Sequence, residues 1–147
     1  MKSESYPLEI KKLFPDVVVN SQACPIWVPL VENNEANDEG ADYFVQKYLN
    51  ELLAQDDRID TIILGCTHYP LLLNKIKQYA PEHINIVTQG ELVAESLKDY
   101  LYRHPEMDAK CTRGQSCIYY TTESEEKFSE SASIFLNESV SVKHIEL

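Results

Sequence analysis

Nowhere along these 147 residues do apolar side chains run unbroken for the roughly 18 positions that a membrane-crossing helix needs. No membrane partner is expected. A signal-peptide pattern is missing too, because Lys2 to Tyr6 is polar, and the chain is expected in the cytoplasm. Cysteine is scarce. Cys24, Cys66, Cys111 and Cys117 are too few for a disulfide scaffold and are expected to stay reduced. Positive charge is also short: 13 Lys and Arg face 24 Asp and Glu, a net charge of −11. So acidic a surface repels phosphate backbones, which argues against a nucleic-acid partner. There are no repeats and no low-complexity tracts. What remains, 44% hydrophobic and 25% charged residues, is an ordinary globular composition on a chain long enough to bury a core.

The elements alternate. Pro7 to Phe14 has a short amphipathic pattern ended by Pro15, and the Val17-Val18-Val19 run predicts a buried strand over Asp16 to Asn20. ACPIWVPLVENNE holds Pro25, Pro29 and a polar run, and reads as a loop dipping inward at Trp27 and Val28. From Ala41 to Gln55, Ala41, Phe44, Val45, Tyr48, Leu49, Leu52 and Leu53 follow helical spacing. Thr61 to Leu64 predicts a second strand. Pro70 suits the first turn of a helix to about Ala80, where its missing N–H costs nothing. Ile84 to Val87 predicts a third strand and Glu91 to Arg103 another amphipathic helix. A polar loop with Cys111, Gly114 and Cys117 then leads to a strand at Ile118 to Thr121. Ser124 is a good N-cap for a helix through about Asn137, and Ser139 to Ile145 alternates weakly, as a last strand would. Strands separated by helices of this length imply an α/β fold. The expectation is a three-layer sandwich, a parallel sheet with helices on both faces.

In such sheets ligands gather at the carboxyl ends of strands, and Gly65-Cys66-Thr67-His68 sits at one. A helix starting within a few residues would bring N–H groups and a positive dipole end near the thiol, favouring thiolate and holding an anionic carboxylate. The Thr67 hydroxyl adds a contact. His68 is placed to act as an acid or to bind a carboxylate. The bland reading stays open, since a cysteine after a strand is often a small core residue. Metal is not expected, because C-x-H and C-x₅-C match no common zinc spacing.

The string ILGCTHYPLL, preceded by ACPIWVPLVE, resembles the C-terminal half of bacterial glutamate racemase. The resemblance covers the chain from about Tyr6 onward, and VTQGELVA and IYYTTESEEKFSESA fit it more weakly. It implies that residues 1–90 form the second α/β lobe of a two-lobed enzyme. Residues 91–147 would be a helix-strand-helix segment that packs on the N-terminal lobe. It further implies a racemisation by two thiols without pyridoxal phosphate or any other cofactor, feeding D-glutamate to peptidoglycan. Cys66 would be one catalytic thiol, Thr67 and His68 substrate-binding residues that assist proton transfer, and Glu32 the acid supporting His68. Where this chain has His68, aspartate racemases have an acid, which favours glutamate as substrate. The family's other cysteine, in a Cys-Asn-Thr segment, does not occur in this chain, so the chain is expected to be a fragment inactive alone. Self-association or a homodimer is expected through the uncovered lobe surface. A racemase for another acidic amino acid and a non-catalytic anion-binding module are the alternatives.

Overall fold

The structure, a computed structural model, describes residues 4–114, 117–136 and 138–146. The chain divides into two compact units, Met1–Val87 and Thr88–Leu147.

The first unit runs α1 (Ser5–Leu13), α2 (Trp27–Glu32), α3 (Glu39–Leu53), β1 (Thr61–Ile63), a 3₁₀ turn (Tyr69–Leu72), α4 (Leu73–Tyr79) and β2 (Asn85–Val87). β1 and β2 pair in parallel, with Ile62 opposite Ile86. The Leu64 N–H extends the pairing to the Val87 carbonyl at 3.0 Å. The core forms because α3 presents Ala41, Val45, Tyr48 and Leu49 along one face. They meet Ile62 from β1, Leu64 just beyond it, Leu72 and Ile76 from the segment that follows, and Trp27 and Leu30 from α2. Buried Trp27 satisfies its indole N–H on the Phe44 carbonyl at 3.2 Å. Lys75 and Asp42, both largely shielded, tie α4 to α3.

Three sequence expectations need correction here. Residues 16–20 form no strand, and Val17 and Val18 are exposed. A β-branched run suits a strand only where a neighbouring strand or a covering face exists, and no described strand of this unit flanks it. The segment read as a loop contains α2. Pro29 is its third residue, within the first turn, where N–H groups have no helical partner, so the proline removes no bond. α2 ends as the Asn33 side chain donates to the Pro29 carbonyl at 2.8 Å and Asn34 turns to φ 58°. Finally, the segment after His68 starts as a 3₁₀ turn, with Pro70 in it, and becomes α-helical only at Leu73.

The second unit runs α5 (Gln89–Arg103), α6 (Pro105–Asp108), β3 (Tyr119–Thr121), α7 (Glu125–Leu136) and β4 (Val142–His144). β3 and β4 are again parallel, with Tyr120 opposite Lys143. The Ser124 hydroxyl accepts the Lys127 N–H at 3.4 Å, the expected N-cap of α7. The expected helix end at Asn137 lies outside the described residues, as does part of the loop between Cys111 and Cys117. The short α6 was not anticipated; Pro105 occupies its first turn. Thr121 and Val140 are the buried residues among those described in this unit. The chain is therefore α/β, with helices and parallel strand pairs. No helix among the described residues is long and apolar enough to cross a membrane.

Candidate functional site

Beyond β1 the chain leaves the sheet at Gly65 and turns through Cys66, Thr67 and His68. The turn is closed by the Tyr69 N–H on the Cys66 carbonyl at 3.3 Å and by the Leu71 N–H on the His68 carbonyl at 3.0 Å. Gly65 has a packing reason. A Cβ there would meet the Tyr6 ring of α1 at 3.2–3.4 Å, tighter than a side chain finds comfortable. The α-helix proper begins seven residues after Cys66. A helix dipole acts mainly within its own first turn, so the helix end expected beside the thiol is not what surrounds it.

The neighbours of Cys66 are side chains. Its Sγ lies 3.8 Å from His68 Nδ1, and the Thr67 hydroxyl lies 3.4 Å from the same nitrogen. On the far side of the ring, Nε2 lies 3.4 Å from Glu32 Oε1. Cys66 is half-buried, and His68 more covered than Glu32, whose side chain is 58% exposed. All four expected residues thus meet, although Glu32 stands 36 positions before His68 at the end of α2. A carboxylate facing Nε2 favours the tautomer with the proton there. That leaves the Nδ1 lone pair toward the thiol. In that arrangement the imidazole can take the S–H proton, with Glu32 stabilising the cation formed.

A further contact ties this turn to the segment before α2. The Tyr69 hydroxyl donates to the Cys24 carbonyl at 3.4 Å, and its ring meets Trp27 edge-on, centroids 4.8 Å apart. Burial pushes the Tyr69 phenol up to about 12, helped by the Cys24 and Cys66 sulfurs. Burial likewise pushes the Cys24 thiol up to about 12, against a lowering hydrogen bond from Tyr69. Cys24 is buried and neutral, which suits packing. No local signal links positions 24 and 69. Among the described residues no group of three or more His, Cys, Asp or Glu is placed to hold a metal ion.

This is an α/β unit with parallel strands, carrying a thiol, an imidazole and a carboxylate in line at a strand's end. By sequence and by fold the chain is a homologue of the glutamate racemases, isomerases that act on an amino acid. It is 35% identical to the glutamate racemase of Streptococcus thermophilus over 150 residues, all of this chain and 53% of that protein. The glutamate racemase of a Sulfurihydrogenibium species is 46% identical over 99 residues, 67% of this chain and 37% of that one. The crystal structure of glutamate racemase isoform RacE1 from Bacillus anthracis superposes with a TM-score of 0.84 at 32% identity, covering 97% of this chain and 52% of that one. No family model matches. The chain spans about half the length of the full-coverage relative.

Proposed function

We propose that these residues form the Cys66-bearing half of a glutamate racemase that works without a cofactor. The line Glu32–His68–Cys66, with contacts of 3.4 and 3.8 Å, is the observation that carries this reading. His68 accepts the Cys66 proton, and the thiolate removes the α-proton from one face of glutamate. The resulting planar carbanion is reprotonated on its other face by an acid outside these residues. Thr67 and His68 hold the substrate carboxylate, and a water-poor pocket closed by the other half of the enzyme stabilises the carbanion. The other thiol of this unit, Cys24, is buried, so Cys66 is the acid–base thiol this unit offers among the described residues. The product, D-glutamate, would serve peptidoglycan synthesis in the cytoplasm.

The test has two arms, both read by circular dichroism and by α-deuterium exchange in deuterium oxide. The chain alone is expected to leave L- and D-glutamate unracemised. A chimera that adds the remaining half of the Bacillus anthracis relative is expected to racemise glutamate, and Cys66→Ala in it to lose roughly a thousandfold, the scale of one acid–base group. Turnover by the chain alone would overturn the one-thiol reading. Full activity in the Cys66→Ala chimera would overturn the role of Cys66, and exchange on aspartate in preference to glutamate would change the substrate.

A further inference from the structure

We propose that Tyr69 is a positioning residue that sets Glu32 against His68 by fastening the Cys66–His68 turn to the start of α2. The inference rests on reading Glu32, His68 and Cys66 as one proton relay. Its members come from two segments that are far apart in sequence. The thiol and imidazole share a turn, whereas Glu32 closes a six-residue helix. Glu32 is largely exposed and its contact with His68 is already 3.4 Å. Its placement therefore depends on how α2 is anchored.

Leu30 and Val31 pack in the core beside Glu32, and the polar anchor of α2 is at its other end. The Cys24 carbonyl accepts the Trp27 N–H at 3.1 Å, and the Tyr69 hydroxyl reaches the same oxygen at 3.4 Å. Trp27 is buried and held by its own bond to Phe44, so the point Tyr69 grips is tied to the core. Through its backbone N–H, Tyr69 also closes the turn that carries Cys66. One residue thus joins both halves of the relay. Six helical residues span only about 9 Å, so a tilt at the start of α2 is felt at Glu32. Because burial holds the phenol proton well past neutrality, the hydroxyl remains a donor wherever the thiol works. A residue serving only to fill space would need the ring alone. The hydroxyl contact sets the two roles apart.

The experiment is peptide-resolved alkylation of the intact chain by iodoacetamide, near neutral pH, in the wild type, Glu32→Gln, Tyr69→Phe and the double variant. Exposed Cys111 is the internal reference and buried Cys24 reports opening of the core. Glu32→Gln is expected to slow Cys66 by roughly threefold, the worth of a partly exposed ion pair. Tyr69→Phe should slow it by a similar factor with Cys24 still protected, and the double variant should be no slower than either single one. An unchanged Cys66 rate in Tyr69→Phe, or additive losses in the double variant, would overturn the inference while leaving the relay intact. No effect from Glu32→Gln would instead sink the relay reading itself. Should Tyr69→Phe unprotect Cys24, Trp27→Phe is scored in the same cycle, and additivity with Glu32→Gln there also overturns the proposal.

Discussion

Helices α3 and α5 are each 15 residues long, each amphipathic, and each belongs to a unit with one parallel strand pair among its described residues. In the first unit α3 buries Ala41, Val45, Tyr48 and Leu49. In the second, α5 has no buried residue, and Leu92, Val93 and Leu97 are exposed on it. The spacing of apolar residues specifies a helix and the face that wants cover. Whether cover exists depends on what else the chain brings. Three elements contribute to the cover of α3: β1 with Ile62 and with Leu64 just beyond it, α4 with Ile76, and α2 with Trp27. The site lies in the unit that has a core, as a relay with ångström tolerances requires.

The contrast can be broken most sharply by truncating one side chain in each helical layer. Ile76→Ala, at a position 0% exposed, is expected to cost about 2–5 kcal/mol. Leu97→Ala, at a position 54% exposed, should stay within about 0.5 kcal/mol. Urea unfolding is followed by fluorescence for the first unit, because Trp27 is the sole tryptophan, and by peptide-resolved hydrogen exchange for the second. Equal losses at the two positions would erase the distinction. Next in size is association. A second copy of the chain is the proposed cover for the α5 face, and Leu97→Glu should move the sedimentation mass toward monomer. A wild-type chain that is monomeric at high concentration would count against it.

A smaller effect sharpens the same comparison through pH. The Cys24 thiol rises from 9.0 to about 12 on folding, and the Tyr69 phenol from 10.0 to about 12, both chiefly through burial. The unfolded chain therefore loses these protons first. Stability from keeping them is full below about pH 9 and drains away as pH climbs toward 12. The urea midpoint of the first unit should fall over that window, and Cys24→Ala should make the fall shallower. An identical slope in that variant would remove Cys24 from the account.

Much of this was legible in the residues themselves. Helical spacing marked α3 and α5, Ser124 marked the start of α7, and a short β-branched run marked β1. Each is a local signal, carried by neighbours within one or two turns. The errors fell where a local signal depends on distant partners. Val17-Val18-Val19 looks like a strand but has no described strand beside it in its unit. Pro29 looks like a helix breaker but sits in a first turn, where it breaks nothing.

The candidate site divides along the same line. That Cys66, Thr67 and His68 stand together at a strand's end follows from adjacency and pattern alone, since residues two apart in a tight turn cannot be far apart in space. The approach of Glu32 to the far nitrogen of His68 was implied only by family likeness. So long a sequence separation is closed by packing α2 against the 3₁₀ turn. The link from Tyr69 to the Cys24 carbonyl had no sequence signal at all. A chain writes its local geometry in short-range sterics and hydrogen bonds, but contacts between remote segments exist only once a shared core holds both in place.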